Sequence, residues 1–329
     1  MKESETGLAP DSTRAAFHAI LTEAERGGIE IIELLNKDST NISPLDWTTI
    51  AKAILERLDQ FDGFVVAHGT DTMHFSASAV AFALGHPLSK PVVFTGSQTI
   101  PDVSHGDARI NLLRAIEVAC KEDLGEVVIS FGDFVFRGSR AQKKDERKFD
   151  AFESPACPPL GEFIGDGIEL FGASAPGPHL GDRHIDFARG VIQFSLIPGL
   201  EPELVLAAAS HSKCQGVILQ SFGAGNIPSE GQLSLGPVIR HITGDLAKPV
   251  IVTSQFPANS TDATQYETGL AAVEAGATPT GNMTASCAAA KFRWAIGRSI
   301  DDSGECDTKA VAEIMNTVYI REMDQNGKE

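Results

Sequence analysis

A threonine and an aspartate stand directly after a short apolar run in the early part of the chain. The run Phe64–Ala67 is typical of a strand in a covered parallel sheet. It breaks at His68 and Gly69, and Thr70 and Asp71 then lead into an apolar helical pattern. Residues of these types often only cap a helix. A threonine hydroxyl also becomes a nucleophile when a neighbouring base removes its proton, so this turn is a candidate for covalent catalysis.

The base for such a threonine has to come from another part of the chain. A lysine amine acts as a base when burial lowers its pKa, and a carboxylate such as that of Asp71 can hold the amine in place. Charged residues are concentrated between positions 137 and 150, where Lys143, Lys144 and Lys148 are available. Most of this segment is expected to be a solvated loop. Sequence spacing alone does not choose among the three lysines.

Two further apolar runs end in polar turns. The run 29–35 is followed by Asp38-Ser39-Thr40, and the run 91–95 is followed by Ser97 and Gln98. Strand and helix patterns alternate through this part of the chain, which predicts a parallel sheet with helices on both faces. Because parallel strands release their turns at one edge of the sheet, the three polar turns are expected to converge there.

The chain is expected to contain two α/β domains. A helical pattern occupies 11–26, and another starts at Ser43-Pro44. Residues 171–189 are rich in glycine and proline, which is typical of a linker. Alternation resumes from residue 190, with strands near 190–195, 215–220 and 248–253 and helices near 201–211, 266–275 and 284–296. We therefore expect an N-terminal domain over 1–170, a linker over 171–196 and a smaller domain over 197–329.

Composition excludes several classes of function. The net charge of −17 argues against nucleic acid as a partner, since phosphate binding needs clustered lysine and arginine. No apolar run approaches the roughly 20 residues of a membrane span, and no signal peptide opens the sequence. The five cysteines are scattered without a Cys-x-x-Cys pair, which favours reduced cytosolic thiols over disulfides or a zinc site. Motifs of nucleotide-binding loops, zinc proteases and serine hydrolases are absent.

The hexapeptide at positions 68–73, His-Gly-Thr-Asp-Thr-Met, resembles a signature of the bacterial-type L-asparaginases. The segment 38–47 is similar to the cytoplasmic, type I branch of that family. Further matches follow in the right order at 93–98, 107–112, 137–140, 149–155, 197–199, 221–226 and 266–269. So many ordered matches are far more specific than any one motif. They imply the two-domain asparaginase-like fold, with a larger doubly wound N-terminal sheet and a smaller C-terminal α/β domain.

The resemblance also implies a reaction and assigns residues to it. Thr70, Lys143 and Asp71 would form the catalytic group, and Ser39 would hold the α-carboxylate of the substrate. The reaction would be hydrolysis of L-asparagine to L-aspartate and ammonia through an acyl-threonine, without metal or cofactor. Family members are homodimers or homotetramers in which the second domain of one chain completes the neighbour's pocket. The residues lining the pocket, largely through backbone groups, would be Gly69, Thr40 and Ser97.

The N-terminal sequence departs from the family pattern. Family members begin with a strand and a Thr-Gly-Gly-Thr turn that carries the usual primary nucleophile, followed by a mobile loop with a catalytic tyrosine. That turn is not found here, and Leu8 stands where many relatives have the tyrosine. The sequence therefore looks truncated at its N-terminus, and we expect little or no asparaginase activity from it. Adding the upstream strand and turn is expected to restore activity and raise the melting temperature.

Two alternatives remain open. In one, the chain is an amidohydrolase, active either through what remains, with Thr70 activated by Lys143 as the sole nucleophile, or only in a longer native form. In the other, the chain is a non-catalytic homologue, truncated or a pseudoenzyme, that binds a small amino acid.

Overall fold

The computed structural model describes residues 2–4, 7–9, 20–100, 105–174, 183–256, 267–301 and 304–324. The chain divides into two compact units, Met1–Arg183 and His184–Glu329. The division falls inside the range 171–196 that was expected to be a linker, although Val191–Ser195 of that range is a strand. Most of the helix expected at 11–26 lies outside the described residues.

Among its described residues, the first unit contains a six-stranded sheet, two separate strand pairs, three α-helices and two 3-10 turns. Its strands are β1 (Lys2–Ser4), β2 (Gly7–Ala9), β3 (Phe64–Ala67), β4 (Val92–Thr95), β5 (Val127–Phe131), β6 (Phe134–Arg137), β7 (Gln142–Lys143), β8 (Phe152–Glu153), β9 (Gly161–Ile164) and β10 (Gly167–Leu170). Its α-helices are α1 (Pro44–Leu55), α2 (Met73–Leu84) and α3 (Ala108–Ala119). The sheet order is β10-β9-β6-β5-β4-β3.

This sheet is mixed, so the expectation of a wholly parallel sheet was wrong. Strands β3, β4 and β5 are parallel, whereas β6, β9 and β10 add to them in antiparallel pairs. Gly132, with φ +58°, and Asp133 turn the chain tightly between Phe131 and Phe134. A turn this short joins adjacent strands directly and leaves no room for a crossover helix.

The strand expected at 29–35 is also absent. These residues form no ladder with any described strand, and an extended segment becomes a strand only when a neighbour accepts and donates its backbone hydrogen bonds. A cavity of about 600 Å³ lies beside them, lined by Ile31 and Leu35 and by Val65 of β3. Among the described residues β3 is therefore an edge strand, and its side chains are half-buried or exposed rather than covered as expected.

Helix α1 begins as its sequence predicts. The Asp46 carboxylate accepts hydrogen bonds from the backbone nitrogen and the hydroxyl of Ser43, both at 2.7 Å, which satisfies the first turn. Trp47, Ile50 and Ile54 form its apolar face and are buried. Helix α2 is buried along nearly its whole length. The two helices pack together, and α2 also packs on β4 and β5.

The second unit is a parallel sheet with helices. Its strands are β11 (Val191–Ser195), β12 (Gly216–Ser221), β13 (Val250–Ser254) and β14 (Thr278–Pro279), paired in that order. Its helices are α4 (Pro202–Ser210), α5 (Gly236–Arg240), α6 (Glu267–Glu274), α7 (Ala285–Arg298) and α8 (Thr308–Asn316). All four strands run parallel, as the alternation from residue 190 predicts. In the described part of the chain, no helix is both long and apolar enough to cross a membrane.

A buried ion pair joins α7 to the chain after α8. Lys291 Nζ lies 2.6 Å from Glu322 Oε1, and both side chains are fully buried. The amine also donates to the carbonyl oxygens of Met315 and Thr317, at 3.1 and 2.6 Å. The carboxylate in turn accepts from backbone nitrogens, including that of Ile320 at 2.8 Å. These additional hydrogen bonds offset the cost of removing two charges from water.

Candidate active site

The turn after β3 places Thr70 and Asp71 side by side. Residues Thr70–Thr72 form a single 3-10 turn, with Gly69 before it and helix α2 directly after it. Thr70 is buried, whereas the Asp71 side chain keeps 57% of its surface exposed. The hydroxyl is thus shielded from solvent while the adjacent carboxylate stays hydrated.

Lys143 completes a three-residue cluster with that turn. It lies on β7, which pairs with β8 so that Lys143 is opposite Phe152. Its amine is 2.8 Å from Thr70 Oγ1 and 2.6 Å from Asp71 Oδ1, and only 12% of its side chain is exposed. The pairing of β7 with β8 anchors Lys143, whereas positions 144–150 form a mostly exposed loop, as expected for most of the charged segment.

The other two lysines of this segment have different partners. Lys144 pairs with Asp150 at 2.7 Å, and Lys148 pairs with Asp145 at 3.3 Å. The Lys148 side chain is 75% exposed. Of the three lysines, Lys143 is thus the one that the structure brings together with Thr70 and Asp71.

Gln98 also belongs to this cluster, although the site residues chosen from the sequence do not include it. The Thr70 hydroxyl donates to Gln98 Oε1 at 3.1 Å. The amide nitrogen of Gln98 donates to the carbonyl oxygens of Asp145 and Lys148, both at 3.1 Å. An amide is both a donor and an acceptor, so this one side chain can link the threonine to the lysine segment. The sequence signal for Gln98 was therefore an amide side chain in a turn that was already expected at the sheet edge.

Ser39 and Gly69 are in direct contact. Ser39 is buried, and its carbonyl oxygen accepts a hydrogen bond from Thr72 Oγ1 at 2.7 Å. A Cβ atom on Gly69 would lie 2.7 Å from Ser39 Oγ, which is closer than such atoms approach. Position 69 therefore requires glycine, and the turn that follows 29–35 packs against the turn that carries Thr70.

Thr40 and Ser97 use their hydroxyls within their own turns. Thr40 Oγ1 donates to Asp38 Oδ1 at 2.7 Å, and Ser97 Oγ donates to the carbonyl oxygen of Thr99 at 2.7 Å. The hydrogen bonds from Thr40 also hold the pKa of the Asp38 carboxyl below its usual value.

His74 lies next to the cluster and is neutral at pH 7. Burial and the positive charge of Lys143 lower its pKa to about 4. Its ring packs against Phe75 and Phe152, with centroids 4.7 and 6.4 Å apart, and its Nδ1 atom is buried without a hydrogen-bond partner. The residue therefore adds no positive charge beside Thr70.

A buried hydroxyl, an amine and a carboxylate in hydrogen-bond contact suit nucleophilic acyl transfer. Comparison with known proteins places this arrangement in a family. The family model for the N-terminal domain of asparaginase matches residues 1–175, and the model for the glutaminase/asparaginase C-terminal domain matches residues 190–305. The chain belongs to the asparaginase family. Its expected two-domain asparaginase fold is thereby confirmed.

Similar proteins support the same family. The chain is 36% identical over 277 residues to an L-asparaginase of Thermococcus kodakarensis, covering 83% of this chain and 81% of that protein. It is 32% identical over 268 residues to L-asparaginase 1 of Escherichia coli K12, covering 80% and 77%. A solved structure of the thermostable L-asparaginase from Thermococcus kodakarensis superimposes with a TM-score of 0.86 at 32% identity, covering 98% and 95% of the two chains.

Membership of the asparaginase family does not by itself fix the substrate. The chain is also 31% identical over 304 residues to one component of the glutamyl-tRNA(Gln) amidotransferase of Archaeoglobus fulgidus, covering 86% of this chain and 70% of that protein. Homologues with similar identity to this chain therefore carry different names.

Proposed function

We propose that this protein is an amidohydrolase that converts L-asparagine to L-aspartate and ammonia through an acyl-threonine at Thr70. The contact between Lys143 Nζ and Thr70 Oγ1, at 2.8 Å, carries the proposal. It favours the alternative in which Thr70, activated by Lys143, is the sole nucleophile, and we propose this in place of the expectation of little or no activity that the N-terminal sequence suggested. The base that a threonine requires lies in contact with its hydroxyl, and Asp71 holds the amine on its other side.

Attack begins with a reversal of the resting hydrogen bonds. At rest Lys143 donates to Thr70 Oγ1, and the Thr70 hydroxyl donates to Gln98 Oε1. For reaction, the amine must be neutral and the hydroxyl proton must turn toward it. Thr70 Oγ1 then bonds to the side-chain amide carbon of asparagine while its proton passes to Lys143. Collapse of the tetrahedral intermediate breaks the C–N bond, and ammonia leaves with the proton from Lys143.

Hydrolysis of the ester follows the same path in reverse. Water attacks the aspartyl ester on Thr70 while Lys143 accepts its proton. The bond from the acyl carbon to Thr70 Oγ1 breaks, and the proton returns from Lys143 to the threonine. L-Aspartate leaves and the resting site is restored. In this scheme Asp71 orients the amine throughout and takes no proton.

We assign recognition of the substrate to two turns in contact, the turn that carries Ser39 and the turn that carries Gly69 and Thr70. Ser39 is buried against Gly69, so its hydroxyl lies close to the nucleophile's turn and can donate to an α-carboxylate. Backbone groups of Gly69, Thr40 and Ser97 are proposed to line the rest of the pocket. No metal or cofactor enters the scheme.

We further propose a cytoplasmic homodimer or homotetramer, as the family resemblance implies. All five cysteines are free thiols, which is typical of a reducing compartment. Sedimentation equilibrium of the purified chain measures its assembly. A monomer at micromolar concentration would contradict this part of the proposal.

Ammonia release from L-asparagine tests the function. Wild-type protein is expected to release ammonia, and Thr70→Ala is expected to abolish release while L-aspartate still binds. Thr49→Ala is a matched control, because the Thr49 hydroxyl donates only within α1, to the carbonyl oxygen of Leu45 at 2.9 Å. Aspartate binding without any ammonia release by the wild type would contradict the proposal and would indicate a non-catalytic amino-acid-binding protein.

A further inference from the structure

Three side chains from separate elements form a hydrogen-bond chain that ends on the backbone beside Thr70. The indole nitrogen of Trp47, on α1, lies 3.0 Å from Ser76 Oγ, on α2. Ser76 Oγ lies 2.9 Å from His68 Nε2, and His68 Nδ1 lies 2.7 Å from the carbonyl oxygen of Gly69. Trp47 and Ser76 are buried. None of these three side chains has a part in the reaction scheme above.

The two ends of the chain fix the direction of the outer hydrogen bonds. An indole N–H only donates and a carbonyl oxygen only accepts, so Ser76 Oγ accepts from Trp47, and His68 Nδ1 carries a proton that it donates to Gly69. When the imidazole is neutral, Nε2 is the acceptor and Ser76 Oγ donates to it. Burial lowers the pKa of His68, against the opposing effects of the Gly69 carbonyl and the Asp46 carboxylate.

The Gly69 carbonyl shares a planar peptide group with the nitrogen of Thr70. Because the peptide is planar and trans, holding the carbonyl on one side fixes the Thr70 N–H on the other. Ser39 packs against the same glycine, and its hydroxyl leaves no room for a side chain at position 69. His68 therefore contacts the carbonyl of the peptide that precedes the nucleophile, and Ser39 packs against the glycine of that peptide.

We propose that His68, oriented by Ser76 and Trp47, is a positioning residue that fixes the Gly69–Thr70 peptide and with it the attack direction of Thr70 Oγ1. This inference rests on the proposed function. A purely structural role would be filling space, since the His68 ring also packs near Phe94 with centroids 6.1 Å apart. The two roles differ in what they require: positioning needs the donor at Nδ1, whereas packing needs only the bulk of the ring.

Two amide substitutions of His68 separate these roles. The amide nitrogen of asparagine sits where Nδ1 does and can still donate to Gly69. The amide of glutamine instead reaches the position of Nε2. We expect His68→Asn to lower kcat by no more than about fivefold, the effect of losing the Ser76 contact, and His68→Gln to lower kcat roughly thirtyfold with KM changed much less. Equal losses of kcat in the two variants would overturn the proposal.

Ser76→Ala tests the middle of the chain, with Ser78→Ala as its matched control. Both serines are fully buried on α2, but Ser78 donates to the carbonyl oxygens of His74 and Gly138 at 2.8 and 3.0 Å. We expect both variants to lower the melting temperature. Only Ser76→Ala is expected to lower kcat, by about fivefold, because His68 is then oriented less firmly. A comparable loss of kcat in Ser78→Ala would contradict the specific chain.

A readout without turnover keeps this inference separate from the proposed function. Nitrogen-15 NMR of the imidazole, assigned by comparison with His68→Asn, is expected to show the Nδ1-protonated tautomer. The Thr70 amide signal is expected to stay near its wild-type position in His68→Asn and to move in His68→Gln. If the wild type releases no ammonia, the proposed function fails while these spectra still decide the positioning role. An Nε2-protonated ring, or equal Thr70 shifts in the two variants, would overturn it.

Discussion

Lys143 Nζ lies 2.8 Å from Thr70 Oγ1 although 73 residues separate the two along the chain. The contact depends on two local structures, the 3-10 turn Thr70–Thr72 and the short strand β7 paired with β8. Each is specified by nearby sequence, but their meeting is a property of the fold. Because Lys143 contacts Thr70, the hydroxyl that follows β3 becomes a candidate nucleophile with a candidate base beside it.

Replacement of Lys143 by methionine is expected to lower kcat by about 10²- to 10⁴-fold, the usual effect of losing a general base. The fold is expected to survive, because the amine is at the edge of the core and methionine fills similar volume. Lys144→Met is the matched control, since Lys144 pairs with Asp150 instead. Steady-state ammonia release measures both variants. Similar losses in the two would contradict the assignment of Lys143.

Removal of the Ser39 hydroxyl is expected to weaken L-aspartate binding by about 1.5 kcal/mol, or roughly tenfold in Kd, as for a hydrogen bond to a charged group. Calorimetric titration of Ser39→Ala with L-aspartate measures this change, with Thr49→Ala as the hydroxyl control. An unchanged Kd with a lower melting temperature would mean that Ser39 only shapes its turn.

The environment of His74 makes stability depend on pH. Its folded pKa, about 4, lies below the ordinary value of 6.5, so the unfolded chain takes up a proton first as pH falls. This residue's contribution is therefore complete above pH 6.5 and is lost toward pH 4. We expect the loss of this contribution to lower the free energy of unfolding by about 2 to 3 kcal/mol between pH 7 and pH 4.5. Urea unfolding of wild type and His74→Gln at both pH values tests this, and equal losses in the two proteins would contradict it.

The strand–turn–helix around Thr70 and the start of α1 could be predicted from the sequence because short-range patterns determine them. These patterns are the apolar run 64–67, Ser43 before Pro44, and glycine at position 69. Each of them acts within a few residues. Lys143 could be chosen only through the ordered resemblance to the asparaginase family. Nothing in the spacing of the three lysines distinguishes it.

Features that depend on distant partners were missed. Residues 29–35 have the composition of a strand, but no described strand lies close enough to pair with them. The Gly132–Asp133 turn is a local signal for a hairpin, but the expectation of a parallel sheet rested on the strand–helix alternation alone. Gln98 was passed over because its role depends on carbonyl oxygens 47 and 50 residues away.

The buried pair in the second unit gives a stability prediction that is independent of catalysis. Lys291→Met leaves the Glu322 carboxylate buried without its partner and is expected to cost about 3 to 5 kcal/mol. Adding Glu322→Gln removes that unpaired charge and is expected to recover part of the loss. Lys309→Met, at an exposed site on α8, serves as control. Denaturant unfolding measures all three, and a double variant no more stable than Lys291→Met would contradict this reasoning.

The central claim is that Thr70 becomes acylated during turnover. Rapid acid quenching of the wild type with L-asparagine, followed by mass spectrometry of the intact chain and its peptides, tests this most directly. A mass increase of one aspartyl group is expected, on the peptide that contains Thr70, and it should be absent from Thr70→Ala. An aspartyl group on a different residue, or turnover that persists in Thr70→Ala, would contradict the account.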